Sequence, residues 1–85
     1  MKTIDKLVNT LKPLRIGNHK SDYPKDGNTK CYYYFDTIIF EVTETANKKV
    51  YRTPYHGKYE NARSTKRAIN NYIKIYESLG FKKEG

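Results

Sequence analysis

The chain reads as a single small α+β domain over residues 1–85: an N-terminal helix, an antiparallel sheet of two or three strands, and a C-terminal amphipathic helix packed on one face. Three observations carry that expectation. Apolar residues near the start recur at helical spacing, the middle is rich in aromatic and β-branched residues, and residues 62–80 form an amphipathic segment with recognisable ends.

At the N-terminus, Ile4, Leu7, Val8 and Leu11 follow the i, i+3, i+4, i+7 pattern, Thr3 is a suitable N-cap and Pro13 forbids continuation. This predicts a helix over residues 3–12. Leu14–Ile16 is a possible brief strand, closed by the turn residues Gly17 and Asn18. The stretch HKSDYPKDGNTK, dense in Asp, Pro, Gly and Asn, reads as a loop of about a dozen residues, longer than most connections.

CYYYFDTIIFEVTET and the shorter KKVYRT, separated by a polar break, predict a β-hairpin over residues 31–53. Simple alternation places Tyr32, Tyr34, Ile38, Phe40 and Val42 on one face. Tyr33, Phe35, Ile39 and Glu41 fall on the other, so an aromatic face is left without a helix to cover it. After a second loop containing Tyr55, His56, Gly57, Lys58 and Tyr59, the last helix is expected over residues 64–79. Ala68, Ile69, Tyr72, Ile73, Ile75, Tyr76 and Leu79 occupy an arc of roughly 160°. Ser64 is the expected N-cap, Gly80 the residue past the end, and Phe81 can fold back on the last turn, while the final KKEG is expected to fray.

Seventeen Lys and Arg against nine Asp and Glu give a net charge of +8 and a sequence pI near 9.6, which favours an acidic partner. The charge is unevenly spread. Cations outnumber acids seven to three in residues 1–30, five to one in 48–63 and five to two in 64–85, whereas residues 31–47 hold three acids and no cation. One cysteine excludes an internal disulfide and a cysteine-based zinc site, so nothing calls for an oxidising compartment and cytoplasm is the expectation. No apolar run reaches the roughly 20 residues of a membrane span, and the first residues lack a signal-peptide core. Neither a cofactor nor a metal is expected: His19, Asp22, Asp26 and Cys31 have no metal-ligand spacing, and no motif supplies His56 with a nucleophile or carboxylate. Enzyme activity is not expected.

The sharpest anomaly is the start of the last helix. A helix N-terminus carries about half a positive charge and favours anions, yet Arg63, Lys66 and Arg67 crowd it. A phosphate held by the first-turn amides and the Ser64 or Thr65 hydroxyl would make those cations favourable. Arg63, Ser64, Lys66, Arg67, Asn70 and Lys74 are therefore the expected nucleic-acid-binding residues, with Lys48, Lys49, Arg52 and Lys58 as supporting charge. Tyr33, Phe35, Tyr55 and Tyr59 are candidates for contact with a protein partner, since tyrosine is favoured at interface hot spots. The partner is nucleic acid, DNA or RNA, or else a host protein with an acidic or nucleic-acid-binding surface.

An aromatic strand, a second strand, a loop, then Ser64-Thr65, Arg67, Tyr72 and Ile73 on a basic amphipathic helix make residues 32–76 resemble a group of small, uncharacterised bacteriophage- and plasmid-encoded proteins. The resemblance implies a mobile-element origin and brings no catalytic residues. The layout is also similar to that of the double-stranded-RNA-binding domain, whose last helix grips phosphates at its start, a role that would fall on Lys66 and Arg67. The glycine-proline-histidine loop of that domain is absent here. Arm-binding domains of tyrosine recombinases are similar in layout too, but they read DNA with a sheet that in this chain carries acids. Two functions are expected from this: a phosphate-binding accessory protein, or an inhibitor of a host or defence factor of the anti-CRISPR type.

Overall fold

The structure, a computed structural model, describes residues 2–23, 28–55, 57 and 62–84. Two helices lie on one face of a six-stranded sheet whose strand order follows the chain. The elements are α1 (Lys2–Asn9), β1 (Leu14–Ile16), β2 (His19–Asp22), β3 (Thr29–Tyr34), β4 (Thr37–Thr45), β5 (Lys48–Arg52), α2 (Arg63–Ser78) and β6 (Lys82–Lys83). Strands β1 to β5 form an antiparallel meander, and β6 adds in parallel beside β5 after the α2 crossover. The α+β class matches the expectation. The sheet has twice the three strands allowed for it.

Each extra strand has a local cause. Residues 19–22, expected in a loop, form β2 because backbone pairing with β1 and β3 on both sides satisfies a polar segment that side-chain pattern alone leaves irregular. The aromatic run expected as one strand breaks at Phe35–Asp36, a two-residue turn with both residues at positive φ (52° and 62°), as a type I′ hairpin requires. The expected fraying tail is instead β6, held by the Glu84 amide donating to the Tyr51 carbonyl at 2.9 Å.

Helix α1 is shorter than residues 3–12. The Lys30 ammonium donates to the carbonyls of Leu7 (2.6 Å), Val8 (3.3 Å) and Thr10 (3.0 Å), closing the helix end with a positive charge where the helix dipole favours one. Leu11 consequently misses the core and is 89 % exposed.

The core joins Ile4 and Leu7 of α1, Tyr32, Ile39, Phe40, Val42 and Tyr51 of the sheet, Ala68, Tyr72 and Tyr76 of α2, and Phe81. Its aromatic rings interlock: Tyr32 lies 4.3 Å from Tyr72 between centroids, and Phe40 stacks on both Tyr51 (5.4 Å) and Tyr72 (5.3 Å). The hydroxyls of Tyr32 and Tyr76 bond to each other within it. A bulge between the pairs Tyr32↔Phe40 and Tyr33↔Ile38 leaves Ile39 as an extra residue in β4. That residue inverts the expected alternation: Ile39 enters the core beside Phe40, and Ile38 pairs with Tyr33 on the open face. The end of α2 is as expected, with Gly80 at φ +94°, its amide on the Glu77 carbonyl, and the buried Phe81 edge-on to Tyr76 at 5.0 Å.

Candidate functional site

At the start of α2 the expected cap is corrected. The N-cap is Ala62, which has no side-chain capping bond, and Ser64 is the second helical residue, exposed to solvent. The first helical bond runs from the Lys66 amide to the Ala62 carbonyl at 3.0 Å, so the amides of Arg63, Ser64 and Thr65 precede the helical ladder. The first turn contains no acid. Thr65 is buried beneath it, and Arg63, Lys66 and Arg67 project into solvent.

The outer face of α2 brings Arg63, Lys66, Arg67, Asn70 and Asn71 around one open trough. Its neighbour, a concavity between α2 and the paired ends of β2 and β3, is lined by His19, Tyr34, Arg63, Ser64 and Arg67. His19 stacks on Tyr34 with centroids 4.8 Å apart, and burial pushes its imidazole below the ordinary histidine range, favouring the neutral ring. Its Nδ1 is buried and has no partner. Asn71 bonds back to the Arg67 carbonyl at 2.7 Å, which leaves Asn70 as the amide on this face without an intrahelical bond.

The other cations are differently employed. Arg52 donates to Glu41 (3.2 Å), Glu84 (2.9 Å) and the Thr43 hydroxyl (2.7 Å), Lys48 pairs with Glu84 at 2.8 Å, and Lys49 lies 3.9 Å from Glu44. These three supporting residues therefore belong to a neutralised network on the sheet, away from the α2 start. Arg15 is paired with Asp36. Among the described residues, Arg63, Lys66, Arg67 and Lys74 have no acid within ion-pair distance. The acidity of residues 31–47 is thus balanced by the sheet's own cations. Among the described residues Lys6, Lys12, Lys20, Lys82 and Lys83 likewise lack an acid at that distance, but α2 gathers four unmatched cations on one helix.

The four aromatic candidates part company. Tyr33, on the open face, is covered by the Lys20 ammonium 4.3 Å above its ring. Phe35 is at the β3–β4 hairpin tip, 62 % exposed, rather than on the sheet face. Tyr55 is half-buried, and Gly57 leaves room for its ring, since a Cβ there would collide with it. Tyr59 and Lys58 lie outside the described residues, as does His56. Sequence reasoning missed His19 and Tyr34 as site residues. Their convergence on α2 depends on the β2 strand, which has no apolar signature.

Among the described residues, no three His, Cys, Asp or Glu side chains come together as a metal would need, and no helix is long and apolar enough to cross a membrane. Comparison with protein-family models, curated proteins and solved structures finds no match to this chain.

Proposed function

We propose that this protein binds nucleic acid through phosphate contacts at the start of α2, as a small accessory protein of a phage or other mobile element. The observation that carries the reading is the contrast in charge pairing. Arg15, Lys48, Lys49 and Arg52 of the sheet have acidic partners, whereas Arg63, Lys66 and Arg67 share a surface with no acid among the described residues, beside first-turn amides that lack a side-chain cap. Such a surface suits a polyanion, because amides, hydroxyl and cations all offer hydrogen to the same point. Lys74, about two turns beyond Arg67 on the same helix and with no ion-pair partner among the described residues, extends the positive face.

The test is the paired charge reversal Lys66→Glu with Arg67→Glu. Acids are favoured in a first turn, so melting temperature should hold or rise slightly. Affinity for oligonucleotides should collapse, and neutralising either residue alone should reduce the slope of log affinity against log salt by about one unit. Unchanged affinity would refute the phosphate grip. Stoichiometric, nuclease-resistant recovery of one host protein would then favour the inhibitor reading.

A further inference from the structure

The cationic surface continues into a cavity of different character. A space of about 450 Å³, within the size range of small-ligand sites, is walled by Tyr34, Phe35, Ile39 and Tyr55, with Ser64 and Thr65 at its helix side. It shares Tyr34 and Ser64 with the concavity of His19, Arg63 and Arg67, which in turn shares both arginines with the trough of Lys66, Asn70 and Asn71. The three form one track, aromatic at one end and cationic at the other. No acidic side chain is among the described residues lining it. Another concavity, between the ends of the two helices, includes Glu44 and offers no such match.

A ligand complementary to the whole track has a flat, weakly polar ring joined to an anion. We propose that the aromatic cavity seats an unpaired base of a single-stranded nucleic acid while the adjoining phosphates lie along Arg63, Lys66 and Arg67. The proposal rests on the phosphate-binding reading and narrows it to single strands, because a base stacked inside a duplex cannot enter a side cavity. Ring faces accept any base, so the seat confers little sequence preference.

Phe35 supplies an independent pointer. It occupies φ +52°, a region that suits glycine or asparagine and costs a bulky side chain free energy, and it presents an exposed ring there, at the mouth of this cavity. Its ring lies 4.6 Å, edge-on, from Tyr34, which is itself stacked on His19, so the wall is ordered before a ligand arrives. A turn selected for hairpin stability alone would not place phenylalanine at that position.

The test compares three probes of equal length by fluorescence anisotropy: a twelve-nucleotide oligothymidylate (roughly the site size of one single-strand-binding module), the same backbone with abasic sugars, and a blunt duplex. The native protein should bind the oligothymidylate at least about fivefold more tightly than the abasic strand, the lower bound for one stacked base. Phe35→Asn, which suits the left-handed turn, and Tyr55→Ala should each narrow that gap while leaving abasic affinity and melting temperature intact or raised for the former. Equal affinity for thymidylate and abasic strands, or an equal loss on both in Phe35→Asn, would overturn the base seat while leaving the phosphate grip standing. Failure to bind any probe, or binding unaffected by the Lys66 and Arg67 reversal, would overturn both.

Discussion

Raising the pH should unfold this protein cooperatively, because its core is built on phenols that cannot ionise where they are. Burial is the main cause that raises Tyr32, Tyr72 and Tyr76 above the ordinary tyrosine range, Tyr76 to about 12 and the other two further. In the unfolded chain all three ionise near pH 10, so above that pH the folded state holds more protons than the unfolded state and stability falls as pH rises. Each tyrosine contributes a slope of about 1.4 kcal/mol per pH unit between its unfolded and folded values, and three give about 4 kcal/mol lost by pH 11. That equals the lower end of the roughly 4–13 kcal/mol expected for a domain of this length and the loss doubles to about 8 kcal/mol by pH 12, so unfolding should set in above about pH 11. Lys30 works in the opposite sense. Burial pushes its ammonium down to about 8, so between pH 8 and its unfolded value the unfolded state holds the extra proton and stability rises with pH. The melting temperature should therefore climb gently above pH 8, peak near pH 10, then fall steeply. Tyrosinate absorbance and far-ultraviolet circular dichroism, followed together, check this: Tyr51 is also raised to about 12, by its hydrogen bond to Glu77, so the signal of four of the nine tyrosines should appear only with loss of secondary structure. Ionisation of all nine before any loss of structure would refute the sealed aromatic core.

The hydroxyl of Tyr72 is buried without a partner, so Tyr72→Phe should leave stability unchanged or raise it by about 1 kcal/mol, whereas Tyr32→Phe or Tyr76→Phe strands the other hydroxyl of that pair and should cost about 1–3 kcal/mol, read by urea denaturation. At the uncapped start of α2, Ala62→Asp supplies both a cap and an acid, so melting temperature should rise by a few degrees, as expected for about 1 kcal/mol, while oligonucleotide affinity falls. A variant that gains stability and retains full affinity would show that the α2 start is not where the anion binds.

The two helices were legible in the sequence because an apolar stripe on a helix is a regular signal, whereas their starts were not, since neither Thr3 nor Ser64 caps its helix. Gly80 and Phe81 close α2 as their positions suggest. The sheet was less legible, for three physical reasons. Strand β2 reads His-Lys-Ser-Asp, with no apolar residue to mark a buried face, and exists because β1 and β3 supply hydrogen bonds on both edges. The turn at Phe35–Asp36 has neither the glycine nor the asparagine that most clearly announces one and puts a phenylalanine before its Asp36, and the Ile39 bulge shifts the alternation by one position. The cation cluster at α2 could be read from the helix periodicity alone, but His19, Tyr34 and the cavity beside them required the register of β2 and β3.

Two departures from local preference converge on one corner of the molecule. Phe35 holds a left-handed backbone at a hairpin tip, and α2 begins with three cations, no acid and no side-chain cap. Departures of this kind typically cost from a few tenths to about 2 kcal/mol each, which is not negligible beside the stability of an 85-residue domain. They are held in place by the surrounding structure: the Phe35 amide donates to the Asn18 carbonyl at 2.9 Å, tying the hairpin tip to the β1–β2 turn, and the next residue, His19, stacks on Tyr34 along the same track. The sheet thus fixes the aromatic end of the track against a helix start that the rest of the fold leaves positively charged and exposed. Residues unfavourable for folding alone would be expected to scatter over the surface, and their concentration around a shared concavity is what favours the proposed binding site over tolerated imperfection.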